Sequence, residues 1–296
     1  MLGAIIGDIS GSSYEVQEIL AKKNGIKRSF EERIKILDEQ VPLFNNDSSC
    51  TDDSVLTCAI ADAILNNGDY ETYIRQYGNR ELNLGQDKYG RSRFGSGFVK
   101  WLSENNQGNS YGNGSAMRIS AVGNLFKTLE EVIDNSGLAT IPSHNNIEAL
   151  MGAEAIATSI FLIKRKKYSK NDIKNYIEKT YQYNLALDLI DLQKNYTFTS
   201  KCSGSVPQAI YCFLISNSFE DSIRKAISIG GDSDTIACIT GSLSEAYYGI
   251  PNKIIENALP YIPEYIISIV DKFYNLDKEV VKTYGKWNES TYWIIN

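Results

Sequence analysis

The sequence lacks several features that would place a protein in a functional class, among them paired cysteines and a secretory signal. The five cysteines stand at positions 50, 58, 202, 212 and 238, and no two of them form a Cys-X-X-Cys pair. An odd number of scattered cysteines fits reduced thiols, and it argues against a zinc site. The N-terminal segment lacks a basic region and reaches Asp8 too early for a secretory signal. We therefore expect a cytoplasmic protein.

Basic stripes and long hydrophobic runs are also absent. The chain has 30 Lys and Arg residues against 36 Asp and Glu residues, a formal net charge of −6, which argues against a nucleic-acid partner. The single basic run, Lys164-Arg165-Lys166-Lys167, follows a long apolar helical pattern, where cations oppose the negative end of the helix dipole. No run approaches the length of a membrane span. We expect neither nucleic acid nor membrane as a partner, and we expect a monomer.

Strand patterns are scarce, and nearly every periodic segment is helical. Apolar residues recur at spacings of three and four residues over 55–65 and 236–247. Further helices are expected at 147–165, 171–181, 204–216, 219–229 and 252–274. Loops rich in Gly, Asn and Ser are expected at 21–30, 45–50, 83–97 and 103–115, and none resembles an interdomain linker. The sequence predicts a compact all-α fold in which residues 1–296 form one domain.

Two acidic clusters stand far apart in the chain, Thr51-Asp52-Asp53-Ser54 and Gly230-Gly231-Asp232-Ser233-Asp234-Thr235. Each is followed at once by an apolar helical pattern that would bury it. Two carboxylates about 4 Å apart repel by roughly 4 kcal/mol at an effective dielectric constant of about 20, so four of them need a counter-charge. Oxygen ligands of this kind suit Mg²⁺ or Mn²⁺, and two facing helix N-termini could hold a pair of ions.

Helix capping is the alternative explanation for both clusters. Thr51 is a suitable N-cap, and Asp232 or Asp234 could start the second helix in the same way. The helix at 55–65 is apolar on most faces, however, which places its N-terminus deep in the protein. Small residues in the second helix, such as Gly241, would let a neighbouring helix approach closely. These features favour a metal site, but helix capping without a metal remains an alternative explanation for both clusters.

Three further elements are weak signals when each is taken alone. In Gly7-Asp8-Ile9-Ser10-Gly11-Ser12-Ser13-Tyr14-Glu15, the aspartate is expected to end a short apolar helix. The segment from Gly108 to Arg118 contains three glycines whose backbone N–H groups could face an anion such as a diphosphate. It is no P-loop, because Gly-Lys-Ser/Thr is absent. The single histidine, His144, precedes the helix expected from Ile147. Glycine at a helix end, a flexible loop and a structural histidine are the competing explanations.

Together these elements resemble the ADP-ribosylglycohydrolase family. The matching motifs run in order over most of the chain: Gly7-Asp8, Thr51-Asp52-Asp53, Gly112-Asn113-Gly114-Ser115-Ala116-Met117-Arg118, His144, Ser205-Val206-Pro207-Gln208-Ala209, the second acidic cluster, and Tyr247-Tyr248-Gly249-Ile250-Pro251. Their joint occurrence is far more specific than any one motif. The resemblance implies an all-α fold, a binuclear centre of two Mg²⁺ (or Mn²⁺) ions, and the ADP-ribose moiety of a protein or small molecule as the partner.

The resemblance also assigns roles to individual residues. The metal-ligand positions match Thr51, Asp52, Asp53, Asp232, Asp234 and Thr235. The substrate-binding positions match Ser110, Tyr111, Gly112, Asn113, Gly114 and His144, and less closely Gly95 and Gly97. Glu15 matches a glutamate that gates the metal centre and takes part in catalysis in relatives acting on serine-linked ADP-ribose and poly(ADP-ribose). We expect Glu15 and Asp232 to carry acid–base work, with Asp53 as a third catalytic residue.

The implied reaction is hydrolysis of the bond at the anomeric carbon of ribose, which releases ADP-ribose from its acceptor. Its transition state has oxocarbenium character, and two metal ions could hold the ribose hydroxyls and orient a water. The acceptor stays open, because arginine-linked hydrolases share the metal motifs, and Ser54 stands where threonine is common. Two alternatives also remain. One is a catalytically silent ADP-ribose-binding relative. The other is a hydrolase of another nucleotide or phosphoester; the lack of a phosphate-activating lysine or arginine beside the Asp motifs argues against it, but Arg118 keeps it open.

Overall fold

The computed structural model describes residues 1–87 and 89–276 as helices joined by loops. The α-helices are α1 Leu2–Lys23, α2 Phe30–Ile34, α3 Asp52–Leu65, α4 Tyr70–Asn83, α5 Ser96–Ser103, α6 Ser120–Leu125, α7 Leu129–His144, α8 Ile147–Lys166, α9 Lys170–Tyr181, α10 Leu189–Asn195, α11 Cys202–Leu214, α12 Phe219–Ser228, α13 Ser233–Tyr248, α14 Asn252–Ala258 and α15 Glu264–Leu276. Two 3₁₀ turns lie at Lys35–Leu37 and Leu259–Tyr261. In these ranges there is no β-strand, and the all-α prediction is confirmed.

Helices α1 and α13 pack backbone to backbone through a row of glycines on α1. A Cβ atom added at Gly3, Gly7 or Gly11 would lie 2.4, 2.1 and 2.4 Å from the carbonyl oxygens of Gly241, Ala237 and Ser233 respectively. Glycines four residues apart lie on one face of a helix, and only glycine leaves room for so close an approach. This contact brings the middle of α1 against the N-terminus of α13, where the second acidic cluster begins.

The N-terminus of α3 also lies inside the protein. Most residues of α3 are buried, including the polar Asp53 and Ser54 in its first turn. The apolar part of α3 belongs to a continuous hydrophobic cluster that extends from α1 to α15. The domain prediction for 1–296 reaches beyond the described residues and stays a prediction. None of the described helices combines the length and the apolarity that crossing a membrane requires.

Two local predictions are wrong, and one is confirmed with an addition. Helix α1 continues to Lys23, so Asp8 does not end a short helix, and the glycines around it are packing positions. His144 precedes α8, which begins at Ile147 as predicted, and it is also the last residue of α7. The helix expected over 252–274 is interrupted at 259–263, where the chain carries Pro260 and Pro263. Proline cannot donate a backbone hydrogen bond and so favours a break.

Helices α4, α5 and α7 were not among the predicted elements. Helix α4 is rich in polar residues, and α5 is short and begins inside a segment assigned to a loop. Helix α7 contains Gly137 and Pro142, both of which weaken a helical pattern. Two of them nevertheless begin with a local cap, Asp69 for α4 and the Thr128–Glu131 capping box for α7.

Candidate active site

A pocket of about 750 Å³ opens where the N-termini of α3 and α13 meet the middle of α1. Every residue predicted for the site lines this pocket except Tyr111. The Tyr111 side chain is 50% exposed, and the Lys201 ammonium lies 5.4 Å from the centroid of its ring. The structure therefore brings two distant acidic clusters and the glycine-rich loop into one space.

Asp8 holds the first turn of α3. Its Oδ2 accepts hydrogen bonds from the backbone N–H of Thr51 (2.9 Å), the backbone N–H of Ser54 (3.1 Å) and the Ser54 hydroxyl. Its Oδ1 accepts from the Thr51 hydroxyl at 2.7 Å. A carboxylate at a helix N-terminus is favoured by the helix dipole, but burial and the charge of Asp234 raise the pKa of Asp8 to about 7.

Asp8 was not among the predicted site residues. The available signal was its spacing from Glu15, because seven residues are two helical turns and put both carboxyl groups on one face. That signal has meaning only if the helix is continuous from Asp8 to Glu15, and the glycines suggested that it was not.

Asp8, Asp53 and Asp234 form a buried carboxylate group. One oxygen from each can be chosen so that all three lie within 4.8 Å of one another. The Thr235 hydroxyl donates to Asp53 Oδ2 at 3.2 Å, whereas Asp53 Oδ1 is buried without a hydrogen-bond partner among the described residues. Burial, followed by the charge of Asp234, raises the pKa of Asp53 well above its usual value. A buried oxygen without a donor is costly unless something else satisfies it.

Glu15, Asp232 and Asp234 form a second carboxylate group, in which one oxygen from each residue lies within 4.8 Å of the other two. Asn113 Nδ2 donates to Asp232 Oδ2 at 2.7 Å and so links the glycine-rich loop to this group. The Arg91 guanidinium lies 3.4 Å from Glu15 Oε2. Burial and the charges of Asp234 and Asp232 raise the pKa of Glu15 to about 10, although Arg91 opposes the shift.

Thr51 and Asp52 stand beside these groups. The Thr51 side chain accepts from the Asp53 N–H at 3.3 Å, so Thr51 does cap α3, while Asp232 makes no side-chain capping bond to α13. Asp52 is half-buried, and burial together with Asp234 and Asp8 raises its pKa to about 8. Capping explains Thr51, but it does not explain why the carboxylates of three helical segments converge.

The donor set of this acidic region fits hard divalent cations. All of its side-chain ligand atoms are oxygens, the two carboxylate groups share Asp234, and one buried oxygen of Asp53 has no hydrogen-bond donor among residues 1–87 and 89–276. Mutual repulsion and burial both favour the neutral forms of these acids, and a bound cation would reverse that preference. Magnesium and manganese are the ions that prefer such ligands.

The glycine-rich loop is fixed against the C-terminal end of α7. The Gly108 N–H donates to the Pro142 carbonyl at 2.8 Å, and the Asn145 N–H donates back to the Gly108 carbonyl at 3.1 Å. Further along the loop, a Cβ atom at Gly114 would lie 3.0 Å from Nε2 of His144. The imidazole is buried, and this burial together with Arg118 lowers the pKa of His144 well below its usual value. A neutral imidazole therefore faces the loop.

Arg118 lies beneath this loop and is fully buried. Its Nη2 donates to the Ala139 carbonyl (3.0 Å) and the Ser143 hydroxyl oxygen (2.8 Å), while Nε and Nη1 have no hydrogen-bond partner in the described parts of the chain. Burial lowers the pKa of Arg118 to about 9. Arg118 ends the motif that begins at Gly112, but it was not predicted as a site residue, because no local pattern shows that an arginine will be buried.

Gly95 and Gly97 lie at the start of α5, on another wall of the pocket. Cβ atoms at these two positions would meet nothing within 4 Å, so the adjoining space is open to a ligand. Phe198 also lines the pocket and is 43% exposed. Its isolated position in the sequence gave no signal of this placement.

Comparisons with known proteins agree with this geometry. The sequence model of the ADP-ribosylglycohydrolase family matches residues 1–282. The chain is 27% identical over 309 aligned residues to ADP-ribosylhydrolase ARH3 of Xenopus tropicalis, and the match covers 84% of this chain and 86% of that protein. Human ADP-ribosylhydrolase ARH3 is 26% identical over 185 residues, which cover 48% of this chain and 51% of that protein.

Two more distant comparisons extend this result. An uncharacterized protein of Archaeoglobus fulgidus is 24% identical over 185 residues, covering 57% of this chain and 60% of that protein. The chain thus spans about half of human ARH3 and three-fifths of the archaeal protein. A solved structure of an "ADP-ribosylglycohydrolase-related protein complex" has a TM-score of 0.58 and 18% identity, covering 95% of this chain and 93% of that chain. The fold is therefore shared with that structure.

Proposed function

The chain belongs to the ADP-ribosylglycohydrolase family, and from this premise we propose that it is a metal-dependent hydrolase that removes ADP-ribose from a modified acceptor. The bond cleaved is the one at the anomeric carbon of ribose. The observation that carries the proposal is the convergence of two buried carboxylate groups in the same pocket as a glycine-rich loop. A ligand with ribose hydroxyls at one end and a diphosphate at the other matches these two surfaces.

The proposed metal ligands are the residues of the two acidic clusters, namely Thr51, Asp52, Asp53, Asp232, Asp234 and Thr235. They would hold two Mg²⁺ or Mn²⁺ ions. When bound, such ions neutralise the carboxylates, polarise ribose hydroxyls and lower the pKa of a bound water. Asp8 has a different role in this proposal, because its hydrogen bonds all come from the first turn of α3. It orients Thr51 and keeps that turn in place.

Glu15 is the proposed acid–base residue at the reacting bond. It lines the pocket beside Asp232 and Asp234, where its carboxyl group would exchange a proton with the departing acceptor atom. Asp232 is the second candidate, and Asn113 holds its carboxylate in place through a 2.7 Å hydrogen bond. Asp53, beside Asp234, completes the proposed catalytic residues. Asn113 also belongs to the loop, so substrate bound there would be aligned with Asp232.

The remaining predicted residues form the proposed substrate site. Ser110, Gly112, Asn113, Gly114 and His144 would contact the diphosphate part of ADP-ribose, and Gly95 and Gly97 would border another part of the ligand. Tyr111 has its side chain outside the pocket, so its role would be to shape the loop. Its carbonyl accepts from the Cys202 N–H at 3.2 Å. All five cysteines are free, which supports a cytoplasmic location.

The test is time-resolved release of ADP-ribose from matched arginine-linked and serine-linked ADP-ribosylated peptides, with Mg²⁺ and after chelation. Asp232→Asn should abolish release. Asp62→Asn is the control, because Asp62 lies on α3 outside the pocket and contacts Tyr77 at 3.0 Å. Mg²⁺-dependent release from one peptide supports the proposal and identifies the acceptor class.

Full activity of Asp232→Asn, or release that is unaffected by chelation, would contradict the proposed mechanism. Release from neither peptide, with free ADP-ribose still binding, would favour a silent ADP-ribose-binding relative or a hydrolase with another leaving group.

A further inference from the structure

Three side chains form a buried hydrogen-bonded chain beneath the glycine-rich loop. Arg118 Nη2 lies 2.8 Å from the hydroxyl oxygen of Ser143, and that oxygen lies 2.7 Å from Nδ1 of His144. Arg118, Ser143 and His144 are 0%, 4% and 6% exposed. Ser143 and His144 are consecutive residues at the end of α7, whereas Arg118 comes from the turn that follows the loop.

The direction of each hydrogen bond in this chain follows from its arginine end. A guanidinium can only donate, so the Ser143 oxygen must accept from Arg118. A hydroxyl oxygen can accept twice, but if Ser143 Oγ also accepted from Nδ1 of His144, its own buried proton would be left without an acceptor, because Oγ has no further hydrogen-bond partner among the described residues. We therefore assign that proton to a hydrogen bond with Nδ1 of His144. A ring nitrogen that accepts carries no proton, which places the proton of the neutral imidazole on Nε2.

We propose that Arg118 and Ser143 are positioning residues that fix His144 as an Nε2–H donor toward an oxygen atom of a ligand held by Gly112–Gly114. This inference rests on the proposed function, in which that loop receives the diphosphate of ADP-ribose. The tautomer decides the sign of the interaction. Nε2–H attracts a phosphate oxygen, whereas an unprotonated Nε2 would turn a lone pair toward it and repel it.

The position of Nε2 supports this assignment. Cβ atoms built at Gly112 and Gly114 would lie 3.8 and 3.0 Å from it, so the atom faces the two glycines of the loop. His144 lines the pocket, and Nε2 has no hydrogen-bond partner within the described ranges. A ligand oxygen would complete the hydrogen bonding of the ring. Burial and the nearby Arg118 also favour the uncharged imidazole.

The first test reads the tautomer directly from the protein without any variant. Because the chain has a single histidine, the imidazole ¹⁵N NMR spectrum contains one pair of ring signals. The two nitrogens have distinct chemical shifts according to which one carries the proton. We expect the neutral Nε2–H form in the free protein and in its complex with ADP-ribose. A proton on Nδ1, or a mixture of both tautomers, would overturn the proposal.

The second test removes the link between Arg118 and His144. Ser143→Ala should let the ring populate the Nδ1–H tautomer and weaken ADP-ribose binding about 10-fold, as expected for loss of one hydrogen bond to a charged group. Ser136→Ala is the matched control. Ser136 is a buried serine on the same helix, it donates to the Ile133 carbonyl at 2.8 Å, and it lies outside the pocket. This control should leave both the tautomer and the affinity unchanged.

A double-mutant cycle separates positioning from general damage. In the His144→Gln background there is no ring tautomer to fix, so adding Ser143→Ala should change ADP-ribose affinity by less than about 2-fold. An equal 10-fold loss in both backgrounds would contradict the role assigned to Ser143.

These outcomes are independent of whether the enzyme is a hydrolase. If wild-type protein does not bind ADP-ribose at all, the proposed function fails, while the NMR spectrum still reports the tautomer. If ADP-ribose binds and is released from peptides but the proton resides on Nδ1, the proposed function stands and this inference fails.

Discussion

The two ends of the pocket carry ionisable groups of opposite type, acids at one end and bases at the other. The acidic end comprises the lining residues Glu15, Asp53, Asp232 and Asp234, together with Asp8, which contacts the first turn of α3 beside Asp53. Burial raises the pKa values of these five carboxyl groups. The glycine-loop end comprises Gly112–Gly114 with Arg118, Ser143 and His144, and here burial lowers the pKa values of the arginine and histidine. Burial pushes both ends toward their neutral forms. In the proposed function, an added cation would compensate the acidic end, whereas the other end would act through the direction of its hydrogen bonds.

Asn113 connects the two ends. Its side chain donates to Asp232, and its backbone N–H donates to the Ser200 carbonyl at 2.7 Å. A change at one end can therefore be compared with the response at the other. Substitutions and pH changes that act on one end at a time test this comparison, and the largest effect is expected at the acidic end.

Asp234→Asn should have the largest effect, because Asp234 belongs to both carboxylate groups and raises the pKa of each of the other carboxyls at the acidic end. We expect ADP-ribose release to fall about 100-fold or more. The metal-free variant should at the same time be more stable than wild type by about 1 kcal/mol or more, since a buried like charge is gone. Peptide assays and urea unfolding in chelator measure the two quantities. Activity within a few-fold of wild type would show that Asp234 is not a metal ligand.

Metal-free protein should lose stability as the pH rises, which is the reverse of ordinary acid denaturation. The pKa values of Asp8 and Asp52 are raised to about 7 and about 8, above the value of about 3.9 in an unfolded chain, so the folded state binds protons more tightly. The stabilising contribution is present below the unfolded pKa and disappears as the pH rises through the folded values. Between about pH 5.5 and 8 we expect the free energy of unfolding to fall by about 2 kcal/mol or more in chelator.

Saturating Mg²⁺ should abolish most of this pH dependence, because the cation stabilises the charged carboxylates. Urea unfolding at both pH values, with Mg²⁺ and with chelator, gives the comparison. If the free energy of unfolding instead increases toward pH 8 without metal, ionisation of the buried carboxyl groups does not destabilise the folded protein, and the prediction is wrong.

Gly114→Ala should affect only the glycine-loop end. The new methyl group would lie 3.0 Å from Nε2 and 3.2 Å from Cε1 of His144, so the ring must move. We expect ADP-ribose to bind about 10-fold more weakly, with Mg²⁺ affinity unchanged, and calorimetry measures both. Gly137→Ala on α7 is the control, since its Cβ would meet nothing within 4 Å. Equal losses of metal and nucleotide affinity would mean that the two ends are not separable.

Arg91→Met should have the smallest effect. The Arg91–Glu15 pair is part-exposed and 3.4 Å long, so its contribution is modest. Because Arg91 opposes the rise in the pKa of Glu15, its removal should raise that pKa further and move the alkaline limb of the kcat/KM profile to higher pH. Arg93→Met is the matched control, because Arg93 pairs with Glu81 at 3.3 Å. The same displacement in both variants would exclude a specific effect on Glu15.

The elements that local pattern determines were predictable. Helix α3 appears in the sequence as an apolar segment that follows Thr51, and the acidic first turns of α3 and α13 stand out as clusters of like charge. The all-α class follows from such segments. Their convergence in one pocket could be anticipated only from the physical need for a counter-charge and from the family resemblance.

The residues that depend on tertiary contacts were not predictable in the same way. Asp8 enters the site because α1 is continuous and lies against α13, and three glycines that suggest a helix end in the sequence are instead contact points. Arg118 is buried because the turn carrying it folds beneath the loop. The fixed geometry of His144 arises from its place at the end of α7, and no spacing in the sequence encodes it.

The glycine contacts between α1 and α13 leave no room for a side chain at Gly3, Gly7 or Gly11. A methyl group at Gly7 or Gly11 would force the two backbones apart and change every distance from Asp8 and Glu15 to Asp234 at once. The loop carrying Arg91 borders the same pocket but takes no part in that contact. In the proposed function, substitutions in this loop would therefore change which acceptor fits the pocket without changing the distances between the carboxylates.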